Sequence, residues 1–515
     1  MPIVKIEWKV IKNASVSGGW IRRMDWILMG AVLSLIFMGF VSIASAVTPM
    51  LNGSRFLIKQ GVAVVVGLGL FFVVSSLNYQ IFRNYSSYLY TLITFLLILV
   101  LLIGKKIKGA ASWFVMGPIS FEPVELAAIG FIIVLAALLD RPEKEVSSWR
   151  LLFGAFLLAG IHIVLILVEP HLGGTLVYMP VTLGMLYFGG VNPLYLLGIV
   201  FYVAVAVGIP ILSTFFSIQP HLLATHPILK FIVQSTQGGR HTIEFIAVVG
   251  ALIFLLWWFI WKLQIRISWH YALFLLGIVA IGTCTAYLAE HIVKDYQRKR
   301  ILVFLSPGFD PLGAGYHISQ SQIAVGSGRF LGRGFASGPQ TQLGFLPEQH
   351  TDFIFAVIGE EMGFIWASFV LVAFGVIVWR SIVIATETPD RFGAMIAAGL
   401  SCMFAFECFV NVGMVLGILP VTGLVLPFVS YGDHHLLLVA TDSADVKSDL
   451  PFAQGAQGSR RPLSSKQCPL QPRMPRIPPL LQYALPPPFR VLIRILLFFL
   501  LRSSYLKYLG FHPDS

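Results

Sequence analysis

The stretch WILMGAVLSLIFMGFVSIASAV, residues 26–47, decides the fold class, because it is apolar and uncharged and long enough to cross a bilayer. A helix of about 20 residues spans the roughly 30 Å of hydrocarbon. Similar runs, about eleven in all, recur to residue 418. They lie near residues 26–47, 57–77, 84–104, 119–139, 149–169, 172–190, 192–216, 243–263, 269–289, 353–380 and 393–418. Only helices satisfy the backbone in lipid at such lengths, since barrel strands are shorter and alternate in polarity. The sequence therefore predicts an all-α, polytopic transmembrane helical bundle.

The composition of the 515-residue chain excludes an ordinary soluble protein. Hydrophobic residues make up 57% of the chain and charged residues only 12%, which is more apolar than a soluble core requires. The surplus must therefore face lipid. The four cysteines, Cys284, Cys402, Cys408 and Cys468, include no CxxC pair, so their spacing indicates no disulfide framework.

The N-terminal segment, residues 1–24, predicts the orientation of the bundle. It is polar and basic, and the apolar run after it is too long for the core of a cleavable signal peptide. The positive-inside rule therefore predicts a cytoplasmic N-terminus. The loops that this orientation places inside are basic too, with Arg83 in one and Arg141, Lys144 and Arg150 in another.

Two loops that this orientation places outside are basic against the rule. Residues 104–118 carry three lysines, including Lys108, and residues 290–352 carry six lysines and arginines, including Arg300. Basic residues on the translocated side suggest an anionic ligand, and the pyrophosphate of a lipid would suit. Two alternatives stay open: these residues bind outer-leaflet head groups, or the long loop escapes the charge rule.

The segment 290–352 is a stretch of about 60 residues without a long apolar run, in a chain whose other loops are short. Its glycines allow tight turns and close approach of the backbone to a ligand. It also contains three carboxylates of interest, Asp310, Glu348 and Asp352. The structural alternative for each is a helix cap, a turn or an ion pair. Asp310 precedes Pro311, a pair that often opens a turn.

The run from Tyr296 to Gly363 resembles the outer loop of the SEDS family, which includes RodA, FtsW and SpoVE. It reads YQRKRILVFLSPGFDPLGAGYHISQSQIAVGSGRFLGRGFASGPQTQLGFLPEQHTDFIFAVIGEEMG. Shorter similar stretches are KGAASWF (108–114), FEPVELA (121–127), EPHLGGTLV (169–177) and NVGMVLGILPVTGLVLPFVSYG (411–432). The resemblance covers most of residues 20–432. Tyr316-His317 and TQLGFLPE (341–348) are more similar to the RodA branch.

The resemblance implies a peptidoglycan glycosyltransferase at the outer face of the bacterial inner membrane. Such an enzyme polymerises lipid II by hexosyl transfer during cell elongation, while the glycan stays on undecaprenyl pyrophosphate. The implied partners are a class B penicillin-binding protein, which is the transpeptidase, and other membrane proteins of the elongation complex, with no nucleic acid. A divalent cation, Mg²⁺ or Mn²⁺, is a further expectation, although no ligand spacing in the sequence supports it.

Asp310 matches the essential acidic position of the family, so the resemblance implies that it is the catalytic base. A carboxylate in a partly desolvated, basic-rimmed cleft can take the proton of the acceptor 4-hydroxyl of GlcNAc as that oxygen attacks C1 of MurNAc. Arg300 could neutralise the charge that develops on the pyrophosphate. The predicted substrate-binding residues are Lys108, Trp113, Glu125, Arg300, Ser321, Gln342, Glu348 and Asp352.

For two of these residues the physical setting bears on the predicted role. Trp113 could pack against a sugar face or could belong to the aromatic belt at the membrane interface. Glu125 stands at the mouth of a predicted span, where an ionisable group is costly enough to be a functional candidate.

The chain departs from the family pattern at three places. Ala128 stands where the family usually has Lys, so one expected cationic contact is missing. His171 stands where the family has Asp. After Gly432 the family continues into a last apolar helix, whereas residues 433–488 are polar and rich in proline.

We therefore divide the chain into a cytoplasmic segment (1–24), a SEDS-like membrane domain (25–432) and an atypical tail (433–515). Ten prolines between residues 451 and 488 are incompatible with a spanning helix and typical of disorder. A shifted reading frame or a lineage-specific tail would explain them. We expect limited proteolysis to remove the tail first, and a tail that resists protease alongside the bundle would contradict the frameshift interpretation.

The spans 243–263 and 269–289 form a helix pair that the ten-helix family core does not require. An even number of added spans preserves the orientation of the others. Cysteines introduced near residues 225 and 320 should therefore react with an impermeant reagent from outside, whereas one at residue 266 should not. Labelling at 266 without labelling at 320 would reverse the predicted orientation.

Two other function classes suit a polytopic chain. A transporter of the lipid-linked precursor, or flippase, would also bind lipid pyrophosphate. It should place charged groups along a path at the membrane midplane, whereas the charges here cluster in outer loops. A non-catalytic scaffold of the elongation complex is favoured if Ala128, His171 and the altered C-terminus have disabled the chemistry. Polymerisation of purified lipid II would distinguish these functions.

Overall fold

The fold is that of a computed structural model, and the chain divides into two units, Met1–Val446 and Lys447–Ser515. All described residues belong to the first unit. They are residues 24–50, 53–76, 79–107, 110–116, 119–140, 149–169, 171–218, 227–236, 238–263, 269–292, 295–306, 308, 310 and 313–431. The predicted tail and the labelling positions 225 and 266 lie outside these ranges.

The described residues form eighteen α-helices and three short β-strands. The helices are α1 (Trp26–Ala46), α2 (Gly53–Ser76), α3 (Gln80–Asn84), α4 (Ser86–Ile103), α5 (Pro123–Leu139), α6 (Trp149–Val168), α7 (Leu172–Leu176), α8 (Tyr178–Phe188), α9 (Pro193–Ile218), α10 (Pro227–Gln234), α11 (Gly239–Lys262), α12 (Trp269–Ile292), α13 (Asp295–Leu305), α14 (Ala314–Ser327), α15 (Pro339–Gln342), α16 (Ile354–Glu361), α17 (Gly363–Glu387) and α18 (Arg391–Val415). The strands are β1 (Lys105–Ile107), β2 (Ala110–Met116) and β3 (Ile119–Phe121). Each predicted apolar run consists mainly of helix, although the run 119–139 begins in β3, and the all-α class is confirmed. Two runs are broken, one into α7 and α8 and one into α16 and α17.

Nine of the described helices are long and apolar enough to cross a membrane. α5 and the segment Leu172–Phe188 are apolar but shorter. The helices differ in how far they are enclosed by others: 72% of the most apolar window of α18 is buried, against 0% for α11. α18 is therefore a central helix, and α11 lies at the periphery with its apolar side chains free to face lipid.

The centre of the bundle forms where α18 packs against α5, α8 and α17, and α17 also packs against α1. Large side chains such as Phe131, Phe374 and Phe404 are fully buried there, as tight packing between membrane helices requires. A polar contact closes one end of this core. Asp25 caps α1 by accepting hydrogen bonds from the backbone of its first turn, and it is ion-paired with Arg380 of α17.

The residues between α4 and α5 form a three-stranded antiparallel sheet in the order β1-β2-β3. Phe114 pairs with Phe121, and the chain enters α5 directly after β3. From the sequence, residues 104–118 are predicted to be a loop and residues 119–121 the start of a span. The sheet gives the start of α5, and with it Glu122, a defined backbone position.

The polar segment between α12 and α16 contains α13, α14 and α15. Backbone hydrogen bonds and close packing hold it against the junction of α16 and α17. Gly332 and Gly363 both have positive φ, 81° and 79°, and a Cβ at Gly332 would lie 2.1 Å from Glu361 O. Only glycine permits so close an approach of two backbones. The amides of Arg333 and Gly334 donate to the carbonyls of Glu360 and Glu361, at 3.0 and 2.9 Å.

Candidate functional site

Asp310 lies in the turn between α13 and α14. Its backbone carbonyl accepts hydrogen bonds from the amides of Gly313 and Gly315, each at 3.2 Å. The backbone of Asp310 therefore contributes to this turn. Lys299 of α13 places Nζ 3.0 Å from Asp310 Oδ2. The carboxylate is 20% exposed and the lysine side chain 56%, so the pair lies at the edge of the site and remains accessible to a ligand.

His317, in the first turn of α14, is the next polar group beside Asp310. Burial lowers the pKa of His317, while the negative charges of Glu348 and Asp310 act to raise it. Both carboxylates are therefore near the imidazole. Glu348 has positive φ, 49°, and its carbonyl accepts from the amides of Thr351 and Phe353. This turn holds Glu348 against α14.

A second polar group forms at the start of α5. His171 Nε2 lies 3.3 Å from Glu122 Oε1. The negative charge of Asp352 acts on the Glu122 carboxyl group. Burial lowers the pKa of His171, and the positive charge of Arg300 lowers it further. Glu122, His171, Arg300 and Asp352 are thus close together, although they come from four separate parts of the chain.

Arg300 contacts the segment after α18, and the backbone of Asp352 is held by α18 itself. An Arg300 guanidinium nitrogen lies 3.4 Å from the carbonyl of Val421. Asn411 of α18 donates from Nδ2 to the carbonyls of Asp352 and Leu424, at 3.0 and 2.7 Å. Since Lys299 and Arg300 are adjacent in α13, the Asp310 group and the Glu122 group flank the same helix.

Glu125 lies in the first turn of α5, one turn beyond Glu122. Its Oε2 atom is buried and, within the described residues, has no hydrogen-bond partner. Such a group is costly unless a ligand or water satisfies it. This position agrees with the substrate-binding role predicted for Glu125, which stays a prediction.

Ser321 and Gln342 lie where they hold the polar segment together. The Ser321 hydroxyl is buried, 2.9 Å from the carbonyls of both Ile318 and Val415. It thereby joins α14 to the end of α18. Gln342 Nε2 lies 3.0 Å from Glu361 Oε1 and 3.3 Å from the carbonyl of Ser45, which joins α15 to α1. Contact of either residue with substrate stays a prediction.

Lys108 lies outside the described residues. Trp113 lies in β2, where its backbone pairs with Lys105, and its side chain is not among those described. The substrate-binding roles predicted for both residues stay predictions.

Comparison with known proteins places this arrangement in a family. The family model FTSW_RODA_SPOVE, described as "Cell cycle protein", matches residues 23–234 and 243–444. The chain belongs to the FtsW/RodA/SpoVE family. The match runs through α11 and α12, and their interpretation as an addition to the family core stays a prediction.

Curated members of the FtsW/RodA/SpoVE family are similar over most of their length. "Peptidoglycan glycosyltransferase RodA" of Treponema pallidum is 32% identical over 81% of this chain and 95% of its own length. "Probable peptidoglycan glycosyltransferase FtsW" of Idiomarina loihiensis is 30% identical over 84% of this chain and 90% of its own length. "Peptidoglycan glycosyltransferase MrdB" of Escherichia coli is 30% identical over 73% of this chain and 80% of its own length.

A solved structure is similar to the chain as well. It is described as "Structural coordination of polymerization and crosslinking by a peptidoglycan synthase complex", and it covers 82% of this chain and 96% of its own chain with a TM-score of 0.57 at 26% identity. The family match and the apolar helices together make this chain a multi-pass membrane protein.

Two residues of the site, Lys299 and Glu122, are not among the site residues predicted from the sequence. Lys299, rather than Arg300, is the cation on Asp310. Glu122 contacts His171. From the sequence, His171 is identified only as a departure from the family pattern. Lys299 is one of many basic residues in its loop, so charge alone could not single it out. The Glu122 contact depends on packing between distant helices.

A resident metal ion does not fit the site as it stands. Within the described part of the chain, no group of three His, Cys, Asp or Glu side chains is arranged to hold one. One oxygen of Asp310, moreover, faces an ammonium group. The predicted Mg²⁺ or Mn²⁺ stays a prediction.

Proposed function

We propose that this chain is a peptidoglycan glycosyltransferase that polymerises lipid II at the outer face of the inner membrane. The observation that carries the proposal is the environment of Asp310. Its carboxylate is partly exposed and faces Lys299, with His317 and Glu348 nearby. The names of the curated relatives support the same activity.

In the proposed reaction Asp310 is the general base. It takes the proton of the acceptor 4-hydroxyl of GlcNAc as that oxygen forms a bond to C1 of MurNAc. The bond between C1 and the lipid pyrophosphate breaks, and the pyrophosphate leaves with the electron pair. A single displacement of this kind inverts the configuration at C1. The ammonium group of Lys299 stabilises the negative charge of Asp310 before the proton arrives.

The charges around α13 are suited to the leaving group. Lys299 and Arg300 are adjacent, and neither is fully buried. A pyrophosphate that gains charge as it leaves would be stabilised by these cations, as positioned charges stabilise other transition states. Glu122 and Asp352 would offer carboxyl oxygens to the hydroxyl and amide groups of the sugars.

The elongation role and the partners belong to the same proposal. The RodA branch is favoured by the stretches 316–317 and 341–348, and a RodA is among the similar relatives. A similar solved chain comes from a complex that coordinates polymerization with crosslinking, which supports a transpeptidase partner of the class B penicillin-binding type. Depletion of the chain in its source bacterium should give rounded cells if the role is elongation and filaments if it is division.

The deciding experiment is polymerisation of purified lipid II by the purified chain, first alone and then with its transpeptidase. We expect glycan strands of many disaccharide units. If none form, and proteoliposomes instead translocate labelled lipid II, the chain is a transporter. If it neither polymerises nor transports but still binds the transpeptidase, it is a scaffold.

A further inference from the structure

His171 contacts α7 through Nδ1 and faces Glu122 through Nε2, and the positive charge of Arg300 on α13 acts on its ring. It is the N-cap of α7, and its Nδ1 accepts the amide hydrogen of Gly174 at 3.0 Å. A ring nitrogen that accepts a hydrogen bond carries no proton, so the proton of the neutral ring is on Nε2. Nε2 is the atom that faces Glu122.

Close packing fixes the imidazole in this orientation. A Cβ at Gly174 would lie 2.8 Å from His171 Nδ1 and 2.6 Å from a methyl group of Val124 on α5. A Cβ at Gly173 would lie 2.9 Å from the carbonyl of Thr422. The first turn of α7 therefore fits tightly against α5 and against the segment after α18. The ring that caps this turn has little freedom to rotate.

The Glu122 carboxyl group faces the Nε2–H of this fixed imidazole. Its Oε1 atom is buried, and within the described residues no hydrogen bond of standard geometry reaches it. His171 Nε2 is 3.3 Å away, at the long end of the hydrogen-bond range. The contact in this state is therefore weakly polar rather than a strong hydrogen bond. Polar contacts in an active site commonly shorten when substrate binds.

We propose that His171 is a positioning residue: it caps α7 through Nδ1 and, through Nε2–H, holds the Glu122 carboxyl group for contact with a hydroxyl or amide group of the lipid-linked sugar. This inference rests on the proposed function for the identity of the substrate. It does not require His171 to touch the substrate.

The surroundings explain why Glu122 needs such a partner. The acidic groups near it are Asp352, Glu125 and Glu169, and the positive charge of Arg300 acts on His171. A hydrogen-bond donor beside Glu122 would fix the direction in which its carboxyl group points. An imidazole N–H supplies that donor without bringing a full positive charge into a buried place.

The test separates capping from positioning. Asn is among the best helix N-caps, so His171→Asn should keep the thermal unfolding midpoint of the wild type in detergent. His171→Asp also supplies a good N-cap but brings a second carboxylate beside Glu122, so we expect its midpoint to be lower than that of His171→Asn. Neither can cap α7 and also present an N–H to Glu122 in the geometry of imidazole. We expect both variants to polymerise lipid II up to about 10²-fold more slowly, which is the loss that a misplacement of about 1 Å can cause. His241→Asn, on the peripheral helix α11, is the matched control and should retain the wild-type rate.

A reversed pair gives the sharper result. In the double variant His171→Asp/Glu122→Gln, the new carboxylate can accept both the Gly174 amide and the new amide N–H from position 122. We expect this double variant to polymerise lipid II faster than His171→Asn or His171→Asp alone. Wild-type rates in His171→Asn and His171→Asp would overturn the proposal, because the role would then be capping alone. If the single variants are instead unstable, the double variant decides: no recovery of its rate overturns the proposal.

A measurement without turnover distinguishes failure of this inference from failure of the proposed function. In protein labelled with ¹⁵N-histidine, the signals lost in His171→Asn belong to His171. They should report a protonated Nε2 and an unprotonated Nδ1, and Glu122→Gln should shift them. If the wild type does not polymerise lipid II, the proposed function fails while this contact is still tested. Signals that Glu122→Gln leaves unmoved would overturn the positioning role whatever the activity.

Discussion

Exchange of Asp310 for Asn should abolish polymerisation of lipid II while leaving the protein folded and inserted. The turn is made by the backbone carbonyl of Asp310, which bonds the amides of Gly313 and Gly315, and an Asn side chain does not disturb those bonds. The carboxylate, in contrast, is the proposed proton acceptor. Loss of general-base assistance typically costs about 10² to 10⁴ in rate. The measurement is the initial rate of glycan formation by purified protein, with membrane accumulation compared by immunoblot.

The matched control is the same exchange at Asp352. It removes a carboxylate from the same region, but one that lies beside Glu122 rather than beside Lys299. We expect Asp352→Asn to slow the reaction less than Asp310→Asn does. Stability should not separate the two variants, because the Lys299 partner of Asp310 is more than half exposed and such pairs contribute about 1 kcal/mol or less. Polymerisation by Asp310→Asn within a few-fold of the wild type would remove Asp310 from the mechanism and favour the transporter or scaffold.

Truncation of Glu360 to Ala should cause the largest loss of stability among the predicted variants. The carboxylate is fully buried and accepts three hydrogen bonds, from the amides of Gln340 and Thr341 and from the Thr341 hydroxyl, at 2.9, 3.0 and 2.7 Å. These bonds hold α15 and the loop before it onto α16. Removing a charged acceptor from buried donors costs at least about 3 kcal/mol over such a set. We expect a lower unfolding midpoint in detergent and faster proteolysis between α14 and α16.

Glu387→Ala is the control for Glu360→Ala. Glu387 ends α17 and is exposed, and exposed substitutions usually change stability by less than about 0.5 kcal/mol. Equal unfolding midpoints for the two variants would show that the Glu360 network does not hold the loop. Polymerisation should fall with Glu360→Ala, because α15 leads into the turn that positions Glu348.

The sequence determined the fold class and the family because both depend on local information. A run such as residues 26–47 is helical in any protein placed in lipid, since no other backbone conformation of that length satisfies its hydrogen bonds there. The stretch Tyr296–Gly363 likewise carries its family resemblance in consecutive residues. Asp310 could be selected because the family resemblance that marks its position lies in consecutive residues of a long, glycine-rich polar loop.

Only the tertiary structure decided which residues meet. Lys299, not Arg300, faces Asp310, because the turn after α13 brings the carboxylate back to one side of that helix. Glu122 and His171 are far apart in the sequence and touch only because the glycines of α7 let it pack against α5. Gln342, predicted from the sequence to bind substrate, bonds Glu361 and Ser45 because α15 folds back onto α1. Contacts of this kind depend on the summed packing of several helices, which no single stretch of sequence encodes.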